Sequence, residues 1–171
     1  MNVLQANPIR QLAWVYAAMF VFTVALGYIP PFTNEAGELF GLFRIELKDD
    51  LLHLGSGIWA ALAGWYSLNA SVFYFKTFGV MYGLDGLLGL ITGHGYLDGG
   101  IFLARESVMS DFMASLVNQP PVLMASIIQA HASTGGHSLF NKIAANMPHI
   151  LIGGGAIYIG FVLSRKFIND A

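Results

Sequence analysis

The chain has 171 residues, of which 56% are hydrophobic and 11% are charged, with a mean hydropathy of +0.61. A soluble core of this size cannot absorb so much apolar surface, so residues 1–171 are predicted to form one domain that uses the lipid bilayer as part of its solvent. The net charge of −2 excludes the basic surface that nucleic acid requires, and the lack of cysteine excludes disulfides, iron–sulfur clusters and thiolate metal sites.

The first apolar run covers residues 11–29 and ends at Pro30 and Pro31. Its length suits one crossing of a hydrocarbon layer roughly 30 Å thick. Only Arg10 supplies a positive charge before the run, and no small-residue cleavage pattern follows it. We therefore interpret the run as a retained spanning helix rather than a cleaved signal peptide.

Three further apolar segments predict three further spanning helices. They cover residues 51–68, which Asp50 is expected to cap, residues 72–92, and residues 147–163. A tight turn predicted at 69–71 makes the second and third helices antiparallel neighbours. The fold class is therefore predicted to be all-α, an integral membrane four-helix bundle.

A long segment, residues 94–146, separates the third and fourth predicted helices, and it is longer than a plain loop should be. Three short amphipathic helices are predicted within it, at 104–117, 120–132 and 138–145. We expect them to cap one membrane face. A re-entrant segment around 122–128 is the alternative, although that run is too short to cross.

Three histidines fall in or beside this cap. With Asp98 or Glu106, the side chains of His94, His131 and His137 could bind zinc or copper. The six-residue separation of the last two is not a recognised ligand spacing. We therefore interpret all three as surface histidines.

The second and fourth predicted helices share one pattern of residues. In each, a capping residue stands three positions before a histidine, and small residues follow the histidine at plus four, plus seven and plus eleven. The positions are Asp50, His53, Gly57, Ala60 and Gly64 in the second helix, and Asn146, His149, Gly153, Ala156 and Gly160 in the fourth. These offsets share one helix face. The pattern predicts a duplicated stripe, and hence two helical hairpins in approximate repeat.

The histidines that head the two stripes suggest one functional site. Four crossings make the second and fourth helices parallel, which places His53 and His149 at the same membrane face. In the first turn of a helix the dipole keeps an imidazole neutral and able to ligate. With Gly57 and Gly153 making room for a flat molecule, the pair could hold haem b. The alternative that we favour is that the histidines bond to their caps and the stripes serve close helix packing.

Asp85 places a carboxylate inside the third predicted helix, one turn after Tyr82. An unpaired charge there would cost roughly 2.5 kcal/mol or more, so Asp85 must be protonated, paired or directed at a polar cavity. One interpretation is a proton relay or cation site that includes Tyr82. The other is a neutral aspartic acid that is hydrogen-bonded between helices.

Four short motifs connect the chain to a known kind of protein. They are Leu39-Phe40-Gly41-Leu42-Phe43 with Ile45, Asp50-Leu51-Leu52-His53 with Gly57, Phe78-Gly79-Val80-Met81-Tyr82 with Gly86 to Gly89, and Asn146-Met147-Pro148-His149. On these motifs the chain resembles a family of small four-helix bacterial membrane proteins of unknown function, over about two-thirds of its length. It departs from that family in residues 99–145, which look inserted, and in Asp85, where an apolar residue is expected. The resemblance implies an architecture and no activity.

The sequence contains no nucleophile elbow and no His-Glu-x-x-His helix. We therefore predict a non-enzymatic accessory or assembly subunit of a larger complex in the bacterial inner membrane. Its expected partners are membrane lipids and other membrane protein subunits. Cytoplasmic termini are favoured because the positive charges on the terminal side lie in shorter segments. A haem- or metal-binding redox protein and a proton or cation pathway through Asp85 remain the alternatives.

Overall fold

The computed structural model describes residues 7–34, 38–40, 43–44, 47–92, 96–97 and 139–168. The short helices predicted at 104–117 and 120–132 lie outside these ranges, as do His94, His131, His137, Asp98 and Glu106. The fold can therefore be given for the four predicted spanning segments and their nearest connections.

The described part is all-helical, as the sequence predicts, and contains four long helices. They are α1 Pro8–Gly27, α2 Leu47–Tyr66, α3 Leu68–Thr92 and α4 Leu139–Tyr158, which continues through a π-helical turn, Ile159–Leu163, into the short α5 Ser164–Ile168. Between α1 and α2 lie a 3-10 turn, Pro30–Phe32, and an antiparallel hairpin of two-residue strands, β1 Glu38–Leu39 and β2 Phe43–Arg44. The hairpin is too small to alter the fold class.

The first two helices begin earlier than their predicted positions. α1 begins at Pro8 because the side chain of Asn7 accepts a hydrogen bond from the backbone N–H of Ile9 at 3.0 Å. α2 begins at Leu47, so Asp50 lies inside its first turn and the prediction that it caps the helix is wrong. The helix dipole favours a carboxylate in the first turn, so Asp50 is compatible with a helix that begins at Leu47.

A single residue, Ser67, joins α2 to α3, so the turn predicted at 69–71 is also wrong. The Ser67 side chain accepts a hydrogen bond from the backbone N–H of Ala70 at 3.1 Å, which caps α3. The Ser71 hydroxyl then donates to the carbonyl oxygen of Ala63 at 3.0 Å and ties the two helices together. α2 and α3 are therefore antiparallel neighbours.

α4 is one continuous helix through Pro148, whereas the sequence predicts a break near residue 146. A proline in a helix removes one backbone hydrogen bond, but contact with α3 on both sides of Pro148 holds the helix together. The side chain of Asn146 lies against Gly89, and Ile150 lies against Gly86. Asn146 is consequently not a cap, and His149 lies in the middle of α4 rather than in a first turn.

The four helices pack as two close pairs. α1 packs mainly against α2, and α3 mainly against α4, while α2 and α3 make the principal contact between the pairs. The core consists of small residues and an aromatic column on α3. In that column the ring centroids of Tyr74 and Phe78 are 5.2 Å apart and those of Phe78 and Tyr82 are 4.6 Å apart, both stacked.

The outer faces of all four helices are apolar. Exposed large side chains include Val21 and Phe22 on α1, Ile58 and Trp65 on α2, Phe73 and Leu87 on α3, and Leu151 and Ile157 on α4. Two segments, Pro8–Gly27 and Asn146–Phe167, are long and apolar enough to cross a membrane, and only 22% and 28% of their apolar windows are buried. The structure thus shows two candidate spans where the sequence predicts four. α2 and α3 are less apolar because they include charged residues, which are Lys48, Asp49 and Asp50 in α2 and Lys76 and Asp85 in α3.

Arg10 joins the two helices of the first pair. Its Nε donates to the carbonyl oxygen of Gly64 at 2.9 Å and its Nη2 to that of Trp65 at 2.6 Å. These are among the last four carbonyls of α2, which have no partner within the helix. We expect Arg10→Ala to lower the free energy of unfolding in detergent micelles by about 1.5 kcal/mol. The exposed Arg165 provides the control, and an equal loss in Arg165→Ala would contradict the prediction.

Candidate functional site

A buried polar pair joins α3 to α4. The Oδ2 atom of Asp85 lies 2.6 Å from Nδ1 of His149, and the side chains are 1% and 27% exposed, respectively. The Oδ1 atom accepts hydrogen bonds from the backbone N–H groups of Tyr96 at 2.6 Å and Leu97 at 2.8 Å. With Nδ1–H of His149 as donor, three N–H groups converge on one carboxylate. Asp85 is therefore paired, which is one of the three states that the sequence allows for it.

Glycines on α3 allow this pair to form. A Cβ atom placed on Gly86 would lie 3.1 Å from the Cβ of His149 and 2.7 Å from Cγ1 of Ile150. A Cβ on Gly89 would collide with the side chain of Asn146. The absence of side chains at these two positions lets α4 approach α3 closely enough for a short contact between Asp85 and His149.

Aromatic rings connect this pair to the other predicted histidine. The ring of Tyr82 lies 4.6 Å from that of His149, measured between centroids. Phe20 lies 5.9 Å from Tyr82 and 5.8 Å from His53. The ring of Phe20 is thus a neighbour of the rings of both His53 and Tyr82. The structure therefore brings together four of the residues that the sequence singles out: His53, Tyr82, Asp85 and His149.

The two glycine stripes face their hairpin partners and not each other. A Cβ on Gly57 would lie 3.2 Å from the Cβ of Phe20 in α1, and a Cβ on Gly153 would collide with the backbone of Gly83 in α3. The space beside Gly57 and Gly153 that a porphyrin would require is thus filled by α1 and α3. The geometry favours the packing interpretation of both stripes.

A second polar contact lies near His53. The hydroxyl of Tyr28 donates to Oδ2 of Asp50 at 2.5 Å, and this hydrogen bond raises the pKa of Tyr28 above its usual value. Asp50 and Asn146, which hold equivalent places in the two stripes, are both buried, at 9% and 7% exposure. Asp50 connects α2 to Tyr28 at the end of α1, and Asn146 packs α4 against Gly89 of α3.

Three contact residues were not identified from the sequence: Tyr28, Tyr96 and Leu97. Tyr28 follows the end of α1 and meets Asp50 of α2, whereas Tyr96 and Leu97 follow α3 and meet Asp85 within it. No periodicity marks such a contact. The sequence indicates only that the carboxylates of Asp50 and Asp85, in apolar surroundings, need hydrogen-bond donors, and it does not indicate which residues supply them.

The core changes character toward the other end of α3. There the described buried side chains are aromatic or aliphatic, with Phe75 and Phe78 beside Tyr74, apart from the serines Ser71 and Ser164. Lys76 directs its ammonium group at the ring of Phe161, 5.2 Å from the centroid. Within the described part of the chain, no group of three His, Asp or Glu side chains is placed to hold a metal ion. Asp50 and Asp85, the two buried carboxylates among the described residues, both lie at the opposite end of the bundle.

Comparison with known proteins assigns the chain to no family. No family model matches it, and no curated protein or solved structure matches it either. The placement of its own residues is thus the basis for assigning a role.

Proposed function

We propose that the chain is a non-enzymatic, multi-pass protein of the bacterial inner membrane in which α1, α2, α3 and α4 all cross the bilayer. The observation that supports this proposal is the apolar outer face of every long helix. Soluble proteins rarely expose apolar patches of this extent, whereas the lipid tails of a bilayer solvate them. The less apolar α2 and α3 fit because the carboxylates of Asp50 and Asp85 are hydrogen-bonded within the protein.

We further propose that the bundle consists of two parallel repeats, α1–α2 and α3–α4. Gly57 lies against Ala17, as Gly153 lies against Gly83. Two helical turns further along each stripe, Gly64 lies against the backbone of Arg10 and Gly160 against the backbone of Lys76. Small residues at corresponding positions of both pairs allow backbones to approach closely, which is how membrane helices associate.

The role that fits this architecture is an accessory or assembly subunit of a larger membrane complex. The carboxylate of Asp85 is already bonded to three N–H groups, and no buried carboxylate lies among the described residues toward the other end of α3. The pair with His149 therefore suits a structural joint better than a proton or cation pathway. Exposed aromatic side chains, among them Phe22, Trp65 and Phe73, offer partner helices large rigid surfaces.

Cysteine labelling tests the topology, because the chain has no native cysteine. Asn34 follows α1, and Asn69 is an exposed residue at the start of α3. With cytoplasmic termini, we expect a membrane-impermeant maleimide to label Asn34→Cys in intact spheroplasts and Asn69→Cys only after permeabilisation. Labelling of both positions from the same side, or recovery of the protein in the soluble fraction, would contradict the four-crossing topology.

Native mass measurement tests the accessory role. The tagged protein, expressed at its natural level and extracted in mild detergent, is expected to elute with other membrane subunits in fixed stoichiometry. A charged substitution on one exposed face, Phe73→Asp or Phe22→Asp, should remove those subunits while the protein stays folded. A monomer of unchanged mass in all three preparations would contradict the role.

A further inference from the structure

A groove with a volume of about 250 Å³ opens between α2 and α3. Phe78 is buried at its floor, and Leu51, Gly55 and Met81 are exposed at its rim. No charged side chain lines it, and the polar side-chain groups of its lining residues are the hydroxyls of Ser56 and Tyr82 and the indole N–H of Trp59. The groove therefore opens sideways onto the apolar outer surface of the bundle.

The groove exists because α2 lacks a side chain at Gly55. A Cβ atom there would have no neighbour within 4 Å, whereas one at Gly57 would contact α1 at 3.2 Å. α2 and α3 each pack more closely on their hairpin partner than on one another. The space between them is consequently not filled by any described side chain.

One end of the groove is formed by Leu97, which Asp85 holds in place. The backbone N–H of Leu97 donates to Asp85 at 2.8 Å, and the hydroxyl of the preceding Tyr96 donates to the carbonyl oxygen of Met81 at 2.9 Å. Both bonds attach the chain after α3 to α3 itself. Asp85 thus positions Leu97, which forms part of the groove wall.

We propose that this groove binds one acyl chain of a bilayer phospholipid, an inference that rests on the proposed membrane location. An uncharged lining matches a hydrocarbon chain and gives no partner to a charged ligand. The volume lies below the roughly 300–1,000 Å³ of pockets that enclose drug-sized ligands, so part of one slender acyl chain can lie along the groove, which is too small to enclose a large cofactor. The exposed rim at Leu51 and Met81 lets a chain enter directly from the lipid.

Filling the groove with a side chain tests the proposal. Gly55→Leu places a side chain in the empty space, and Gly154→Leu is the matched control, because Gly154 is also helical, exposed and without neighbours within 4 Å. Both variants go into vesicles of phosphatidylethanolamine and phosphatidylglycerol with a trace of phosphatidylcholine that carries a photoactivatable diazirine in its acyl chain. After illumination, mass spectrometry of peptides locates the labelled residues.

In the parent protein we expect labelling to concentrate on the groove residues, above all Met81. Gly55→Leu should reduce that labelling roughly fivefold, because the added side chain takes the place of the acyl chain in the groove. Gly154→Leu should leave the labelling unchanged. Gly55→Ala should give an intermediate loss, which guards against a folding defect in the larger variant. Circular dichroism and elution volume report whether each variant is folded.

Two results would overturn the proposal, and they differ in what else they overturn. Even labelling over all exposed faces, unaffected by Gly55→Leu, would remove the groove site and leave the membrane location intact. A protein that does not associate with the vesicles and takes up no label would remove both.

Discussion

Asp85→Leu is expected to lower the free energy of unfolding by about 3–5 kcal/mol, the usual cost of removing one partner from a buried polar pair. The substitution leaves Nδ1 of His149 and the backbone N–H groups of Tyr96 and Leu97 without their acceptor. These donors are partly buried, so each one that loses its partner adds a desolvation penalty at the lower end of about 1–3 kcal/mol. Unfolding by SDS in bicelles, followed by tryptophan fluorescence, measures the loss.

Two further variants separate the charge of Asp85 from its shape. Asp85→Asn keeps an oxygen that can accept from Tyr96 and Leu97, so we expect a smaller loss of about 1–2 kcal/mol. Adding His149→Leu to Asp85→Leu should recover part of the stability, because an apolar pair leaves no imidazole to satisfy. A single Asp85→Leu variant as stable as the parent protein would show that the pair does not hold α3 to α4.

Gly153→Leu is expected to cost about 3 kcal/mol or more, at the upper end of the range for overpacked cores. A Cβ at this position would collide with the backbone nitrogen of Gly83 and lie 2.7 Å from its Cα. Backbone atoms cannot move aside as the end of a flexible side chain can. The substitution must therefore push α4 away from α3.

The neighbouring residue provides the control for this prediction. Gly154 is exposed, and a Cβ there meets nothing within 4 Å. Leucine favours a helix over glycine by up to about 1 kcal/mol, so Gly154→Leu should be neutral or mildly stabilising. The same unfolding titration serves both variants, and equal stability of Gly153→Leu and Gly154→Leu would show that the stripe is not a packing surface.

Much of the helical architecture could be predicted from the sequence. Apolar runs and the proline pair at Pro30 and Pro31 determine where long helices form, and the described part of the chain contains four of them. The stripe offsets also depend only on helix geometry, and Ala60 and Ala156 are indeed fully buried. What the offsets could not indicate was which helix each stripe would face. The sequence therefore suggests space for haem beside Gly57 and Gly153, but α1 and α3 occupy that space.

The sequence by itself thus determined that the chain is helical, strongly apolar and marked by two equivalent stripes, because composition and periodicity are local properties. The tertiary structure alone decided the partners of Asp85, since His149 is 64 residues away and Tyr96 and Leu97 are 11 and 12 residues away across a helix end. It also decided that α4 continues through Pro148, because contacts with Gly86 and Gly89 outweigh the local preference for a break. Packing between distant segments sets these features, and no local pattern encodes it.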